Sequence, residues 1–249
     1  MIVQIYEIQT PHEAETMVRL GVDHVGSVLT SRENWQDETL KSAIRAVQSC
    51  GRKSSLIPLF DQVDTLCRSV DYYRPDILHF CETLPPDTDH RRFHGILSLQ
   101  RTMRDRYPEL DIMRSIPIGV DGTAERIPSL EYGSIFEPWS DWFLTDTLLG
   151  GDNGICDREQ PVNGFVGITG KPCDWETARK LVRQSRIPVI LAGGIGPDNV
   201  SQGIAYVSPA GVDSCTLTNA VDADGRVVRF QKDPEKVKAM VEKSKKFGS

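Results

Sequence analysis

Short apolar runs and longer amphipathic stretches alternate along the whole chain. A short apolar run is typical of a buried strand, and apolar positions three and four apart predict one face of a helix. The alternation predicts eight strand–helix pairs, which favour a parallel sheet with helical crossover connections. The predicted strands are residues 2–6, 23–29, 55–60, 76–80, 111–116, 141–146, 188–192 and 212–216. The predicted helices are residues 11–20, 37–49, 63–72, 91–107, 123–136, 175–184, 198–207 and 234–245.

Capping residues support the first and last of these helices. Thr10 precedes a proline at the start of the first helix, and Asp233 does the same for the last. Pro128 and Gly133 interrupt the pattern of the fifth helix. A long polar loop, residues 147–172, follows the sixth strand, and loops of this length commonly serve a function.

Eight strand–helix pairs in 249 residues predict an α/β fold, a single (β/α)₈ TIM barrel that forms one domain over residues 1–249. An open doubly wound sheet is the alternative, but no G-x-G-x-x-G motif follows the first strand. In a closed parallel barrel the carboxyl ends of all strands meet at one mouth. We therefore expect the functional residues at those strand ends.

Composition and charge narrow the range of partners. The formal net charge is −6, so the sequence gives no basic face for nucleic acid. No apolar run approaches the ~18 residues that a membrane-spanning helix needs. The cysteines form no C-x-x-C pair and are widely spaced, which favours reduced thiols in a cytoplasmic protein. They are Cys50, Cys67, Cys81, Cys156, Cys173 and Cys215.

Two features at the predicted strand ends point to chemistry. Gly193 and Gly194 lie between an apolar strand and the start of a helix, where backbone amides can approach a phosphate group. Asp146 ends the sixth strand, and a carboxyl group in such a place can act as a general acid. The structural alternatives are a plain tight turn at Gly193 and Gly194 and a helix cap at Asp146.

Other charged and metal-binding side chains are less specific. Arg32 could bind a carboxylate or a phosphate, and Lys171 could neutralise a substrate anion, although both could equally be solvated loop residues. His79 and Cys81 face the same side of a strand. Core packing explains them better than a metal site, because no third ligand is evident. We expect neither a metal nor a cofactor.

Several ordered blocks resemble the phosphoribosylanthranilate isomerase family. Gly167-Ile-Thr-Gly-Lys-Pro-Cys-Asp-Trp175 is similar to the family's G-G-T-G-K-x-F-D-W. Leu191-Ala-Gly-Gly-Ile195, followed by Pro197-Asp-Asn-Val200, is similar to its L-A-G-G-L-x-P-x-N-V. Residues 211–213 and 232–236 resemble the family's ending, whereas the N-terminal half matches more thinly.

The resemblance implies roles for individual residues. It makes Asp146 the general acid that opens the ribose ring, and Arg32, in Thr30-Ser-Arg32, the arginine that holds the anthranilate carboxylate. It also assigns residues to substrate and phosphate binding. The implied substrate-binding residues in the loop are Thr169, Gly170 and Lys171. The implied phosphate-binding residues are Gly193, Gly194, Cys215 and Thr216.

Three departures from the family concern its chemistry. Tyr6 stands where the family has its catalytic cysteine, the general base, and an unperturbed tyrosine is a poor base at neutral pH. The family's Q-L-H-G becomes His79-Phe-Cys-Glu82, and Leu217 replaces a glycine of the phosphate site. Besides Tyr6, Cys81 and Glu7 are the candidate bases.

The resemblance predicts an enzyme: an aldose–ketose isomerase that carries out an Amadori-type rearrangement of a phosphorylated aminoribose in tryptophan biosynthesis. Two alternatives stay open. One is another sugar-phosphate enzyme, such as an aldolase, epimerase or lyase, on the same scaffold. The other is a non-catalytic phosphosugar-binding protein. We expect a phosphorylated sugar as the partner, neither nucleic acid nor membrane, and a monomer or homodimer.

Overall fold

Eight parallel strands close into a barrel in the structure, a computed structural model that describes residues 1–151, 154–155 and 162–247. The first strand closes the ring against the last, with Ile2 opposite Gly211 and Ile5 opposite Ser214. The predicted (β/α)₈ fold is therefore confirmed. The barrel strands are β1 Ile2–Ile5, β2 His24–Leu29, β3 Lys53–Pro58, β4 Ile77–Phe80, β5 Asp111–Gly119, β6 Trp142–Leu148, β7 Val189–Leu191 and β8 Gly211–Ser214.

Eight α-helices connect and surround the strands. Side-chain caps fix several helix starts: Thr10 accepts a hydrogen bond from the Glu13 amide, and Asp233 accepts one from the Glu235 amide. None of the described helices is long and apolar enough to cross a membrane. The helices are α1 Pro11–Arg19, α2 Glu38–Ser49, α3 Val63–Tyr73, α4 Arg91–Arg106, α5 Ser129–Phe136, α6 Trp175–Gln184, α7 Val200–Val207 and α8 Pro234–Lys245.

The prediction of one helix over residues 123–136 is wrong. A short 3₁₀ helix, Ala124–Arg126, is followed by an extended residue, Ile127, before α5 begins. Pro128 causes the break, because a proline disfavours helical backbone in the residue before it. The strand before this region is also longer than predicted and runs to Gly119.

Two small hairpins lie outside the predicted elements. Gly150–Gly151 pairs with Gly154–Ile155 inside the long loop after β6, part of which lies outside the described residues. The second, which we call the C-terminal hairpin, pairs Asn219–Val221 with Val227–Lys232 between β8 and α8. It places the guanidinium group of Arg229 against Glu7, just after the end of β1.

The core has an apolar layer between strands and helices and a more polar layer inside the barrel. Buried polar side chains inside the barrel include Gln4, Ser55, His79 and Asp213. The described cysteines are free thiols, as predicted, whereas Cys156 lies outside the described residues. The polar interior lies directly beneath the mouth of the barrel.

Candidate functional site

A cavity of about 70 Å³ lies at the carboxyl ends of the strands. Residues at the ends of β1, β4, β6, β7 and β8 line it, and the loop after β6 covers it. This is the end of the barrel where the sequence predicts the site. The predicted site residues that line the cavity are Tyr6, Glu7, Cys81, Asp146, Thr169, Gly170, Gly193, Gly194, Cys215 and Thr216.

Asp146 combines the position and the protonation behaviour of a general acid. It lies near the end of β6 and keeps a small exposed surface toward the cavity. Enclosure of its carboxyl group by the protein raises its pKa to about 7, although a hydrogen bond from the Thr147 amide opposes the rise. Gly167 lies so close that a Cβ atom there would overlap Asp146 Oδ2. Asp146 therefore keeps its proton to a much higher pH than an ordinary aspartate.

Asp213 is a second carboxyl group in the same cavity. Burial raises its pKa to about 8; a hydrogen bond from Gln4 lowers it, and the negative charge of Asp146 raises it. Gln4 in turn contacts His24 Nδ1 at 3.2 Å. The prediction of site residues missed Asp213. An acidic residue within the apolar β8 was the signal that could have found it.

Tyr6 occupies the floor of the cavity as part of a hydrogen-bond network. Its hydroxyl lies 2.6 Å from Ser55 Oγ and 2.6 Å from His79 Nδ1, and His79 Nε2 lies 2.8 Å from Ser115 Oγ. Burial raises the pKa of Tyr6 well above 10 and lowers that of His79 to about 3. Both side chains are therefore neutral near pH 7. Gly26 makes room for the ring of Tyr6, which a Cβ atom would overlap.

Glu7 and Cys81 differ in what holds them. Glu7 is 1 % exposed, has a left-handed backbone (φ 65°), and accepts hydrogen bonds from the guanidinium group of Arg229 on the C-terminal hairpin. Cys81 is buried, and this burial, together with the charges of Glu82 and Asp146, raises the pKa of its thiol well above the usual value. Cys81 is thus a protonated thiol at neutral pH.

The glycine pair forms a tight turn between β7 and α7. Gly193 and Gly194 have φ of 80° and 60°, which favour glycine. The Asn199 side chain fixes the turn, because it donates to the Gly194 carbonyl at 2.8 Å and accepts from the Gly196 amide at 2.9 Å. The backbone of Lys171 packs so closely on Gly194 that a Cβ atom would overlap it. The turn therefore holds the covering loop as well as facing the cavity.

Two predicted substrate-binding residues lie outside the cavity lining. Lys171 is exposed, and its amide donates to Thr169 Oγ1 at 3.2 Å. Arg32 is about half exposed and pairs with Glu33 at 3.1 Å. Leu217, which the sequence resemblance matches to a family glycine, lines the cavity and packs against Gly196. The structure thus gathers the predicted acid and the loop and glycine residues but leaves Arg32 at the surface.

Comparisons with known proteins agree with this geometry. The family described as N-(5'phosphoribosyl)anthranilate (PRA) isomerase matches residues 153–243. The N-(5'-phosphoribosyl)anthranilate isomerase 1 of Methanosarcina mazei is 24% identical over 246 residues, which cover 96% of this chain and 93% of that protein. The Haloferax volcanii isomerase is 34% identical over 175 residues, 66% of each chain.

Solved structures show the same fold. The phosphoribosyl anthranilate isomerase of Thermotoga maritima is 19% identical and superimposes with a TM-score of 0.69, covering 99% of this chain and 100% of that one. A complex of phosphoribosyl anthranilate isomerase with reduced 1-(o-carboxyphenylamino)-1-deoxyribulose 5-phosphate superimposes with a TM-score of 0.68 at 18% identity, with the same coverage of both chains.

The closed barrel, its cavity at the strand ends and the carboxyl group within it define a (β/α)₈-barrel enzyme. The family match over residues 153–243 and the match to a member along 96% of the chain are more specific than the fold. The chain belongs to the phosphoribosylanthranilate isomerase family.

Proposed function

We propose that this chain isomerises N-(5'-phosphoribosyl)anthranilate to the corresponding aminodeoxyribulose phosphate, a step of tryptophan biosynthesis, in the cytoplasm. The observation that carries the proposal is the carboxyl group of Asp146, which faces the cavity with a pKa raised to about 7. A general acid works best when its pKa lies near the working pH. The family relationship supplies the reaction for which such an acid is needed.

The glycine turn and its neighbours form the proposed phosphate site. Gly193 and Gly194 precede α7, whose N-terminal end carries a partial positive charge. Gly170 and Thr216 line the cavity beside them, so the phosphate would be held by backbone amides and a hydroxyl group. This arrangement fits an acidic protein, because backbone amides supply the local field without lysine or arginine.

The opposite wall of the cavity suits the aromatic part of the substrate. Ile57, Leu59, Phe165 and Val166 give an apolar surface there. A cavity of about 70 Å³ is smaller than the ~300–1,000 Å³ of ordinary ligand sites, so substrate binding must widen it. The loop after β6 contributes Val162, Phe165, Val166, Ile168, Thr169 and Gly170 to the wall.

The first chemical step follows from the position of Asp146. Its protonated carboxyl group donates to the ring oxygen of the ribose, the bond between that oxygen and carbon 1 breaks, and a protonated imine forms at carbon 1. Loss of the proton on carbon 2 then gives an enolamine, which becomes the ketone when carbon 1 is protonated. The atoms of substrate and product are the same, so the step needs no external oxidant or reductant.

Turnover assays on three proteins test this proposal. Phosphoribosylanthranilate is added, and loss of its fluorescence is followed for the wild type, Asp146→Asn and Asp141→Asn. Asp141 precedes β6 at the opposite end of the barrel and pairs with Arg104, so it serves as a matched control. We expect Asp146→Asn to lower kcat/KM by about 10²–10⁴-fold and Asp141→Asn to retain turnover.

Other results would contradict the proposal in distinct ways. An active Asp146→Asn variant would remove Asp146 from the chemistry. A wild type that binds ribose 5-phosphate without turning over phosphoribosylanthranilate would instead support a non-catalytic phosphosugar-binding protein or a different sugar-phosphate enzyme. The sequence resemblance predicts Tyr6 at the position of the family's cysteine, and this predicted departure makes the alternative worth testing.

A further inference from the structure

The proposed reaction needs a group that removes the proton from carbon 2, and most titratable side chains in the cavity are unsuited to this task. Tyr6, Cys81 and Asp213 hold their protons at neutral pH, because burial raises the pKa of each. His79 is neutral, but both of its ring nitrogens lie within 2.8 Å of partner oxygens. Three of these groups are therefore protonated, and the fourth, His79, has both ring nitrogens in hydrogen bonds.

Glu7 has one carboxylate oxygen fixed and the other without a conventional hydrogen-bond donor. Arg229 donates to Oε1 through Nε at 2.8 Å and through Nη2. Oε2 is buried and accepts no conventional N–H or O–H hydrogen bond among the described residues; the Cys215 thiol, a weak donor, interacts with the carboxylate. Burial of an unsatisfied carboxylate oxygen costs stability, so such an atom requires an explanation, and a catalytic role is one. Glu7 lines the cavity that contains Asp146.

The backbone of Glu7 provides a second, independent observation. Its φ of 65° lies in the left-handed region, which costs free energy for a residue other than glycine or asparagine. Backbone strain of this kind is concentrated at active sites, where the surrounding structure enforces it. Here it occurs two residues after the end of β1, and Glu7 is 1 % exposed.

The C-terminal hairpin supplies the partner of Glu7 and is itself held against the barrel. Glu13 of α1 accepts a hydrogen bond from the Lys232 amide at 3.0 Å, and Lys232 Nζ donates to the Cys215 carbonyl at 2.8 Å. Burial and the nearby carboxylate of Glu7 raise the pKa of the Cys215 thiol, although Lys232 opposes the rise. The hairpin thus fixes Arg229, and Arg229 fixes the carboxylate.

We propose that Glu7 is the catalytic base of this enzyme and that Arg229 is its positioning residue. The assignment rests on the proposed function. Glu7 Oε2 takes the proton from carbon 2, the electron pair of that C–H bond forms the double bond between carbons 1 and 2, and the imine nitrogen becomes neutral. Glu7 then returns the proton to carbon 1. The hydroxyl proton of carbon 2 leaves as the ketone forms, and Asp146 regains a proton through solvent.

The test combines single-turnover rates with binding. The substrates are phosphoribosylanthranilate and the same compound deuterated at carbon 2, and binding is measured with reduced 1-(o-carboxyphenylamino)-1-deoxyribulose 5-phosphate. We expect Glu7→Gln to lower the rate at least about 100-fold while its Kd stays within about threefold of the wild type. Glu15→Gln, at an exposed position of α1, should retain the wild-type rate and its isotope effect.

Two further variants keep the assignment testable if Glu7→Gln does not fold. Glu7→Asp retains the charge but shortens the side chain, and it should lose at least about tenfold in rate. Arg229→Gln should lower the rate without weakening binding of the reduced product, and Arg229→Lys should recover part of the loss.

The outcomes separate this assignment from the proposed function. A Glu7→Gln or Glu7→Asp variant with the wild-type rate would overturn the role of Glu7 and leave the isomerase activity standing. Equal losses of rate and of binding in Arg229→Gln would show a merely structural contact. A wild type without any turnover would overturn the proposed function and, with it, the role of Glu7.

Discussion

Asp146 and Asp213 are two carboxyl groups that share one cavity, and the protein around them favours the neutral form of both. The sequence suggests the first by its place at the end of a strand. It does not reveal the second as a site residue, because its raised pKa depends on burial and on Asp146, which lies 67 positions away in the chain. Local sequence places a residue on a strand but does not give its surroundings.

Asp213 should make the stability of the protein depend on pH. Its pKa is raised from 3.8 to about 8 in the folded state, so the folded state binds more protons between these values. The stabilisation is complete below about pH 4 and is lost as the pH rises through about 8. Between pH 6 and pH 8 the ionisation of Asp213 should therefore lower the free energy of unfolding of the wild type by about 2 kcal/mol, and Asp213→Asn should abolish this decline.

Denaturant titrations at the two pH values measure this difference. Asp121→Asn, at an exposed position, should keep the pH dependence of the wild type. An Asp213→Asn variant whose stability declines as steeply as that of the wild type would show that the carboxyl group is already ionised at pH 6.

The elements that the sequence predicts best are those whose ends carry local signals. Helices α6 and α8 begin and end where predicted, because Asp174 and Asp233 cap them through their side chains. The C-terminal hairpin was missed although Asp224-Gly225 is a strong turn signal. Because the hairpin was missed, Arg229 was missed as well. Its partner Glu7 lies 222 residues away in the sequence.

The turn between β7 and α7 allows a prediction about one glycine. Gly194→Ala should destabilise the protein and weaken phosphosugar binding, because its φ is 60° and a Cβ atom would overlap the backbone of Lys171. Gly51→Ala is the matched control, since Gly51 has a φ of 69° and no atom within 4 Å of the added Cβ. The control should cost about 1 kcal/mol, the ordinary strain of a left-handed alanine.

Thermal unfolding and titration with ribose 5-phosphate compare these two variants. Gly194→Ala should lower the affinity at least about tenfold, whereas Gly51→Ala should leave it unchanged. Equal affinities in both variants would remove the glycine turn from the phosphate site.

The alternation of strands and helices predicts the closed barrel, and the barrel geometry alone places the mouth that holds the cavity. The sequence reveals less about the buried contacts that join one element of the barrel to another. Arg114 is fully buried between Phe80 and Phe136, and it donates to Glu82 Oε2 at 2.6 Å. Glu82 also forms a backbone bridge to Phe165 of the covering loop. A buried arginine on a strand gives no indication of its partner until the fold is known.

Removal of the Glu82 carboxylate should destabilise the whole molecule. Glu82→Ala leaves the guanidinium group of Arg114 buried without its counter-ion, which should cost about 3–5 kcal/mol in the free energy of unfolding. Glu176→Ala, which removes an exposed pair with Lys180, should cost less than about 1 kcal/mol. Chemical denaturation compares the two, and similar small losses would show that Arg114 does not depend on Glu82.

The pH dependence of kcat/KM for phosphoribosylanthranilate tests the acid role of Asp146 most directly. Because the pKa of Asp146 is about 7 and its protonated form is the reactive one, kcat/KM should fall tenfold per pH unit above about pH 7. Any residual rate of Asp146→Asn should lack this fall. Wild-type activity that stays constant or increases from pH 6 to pH 9, or no turnover at any pH, would contradict the account.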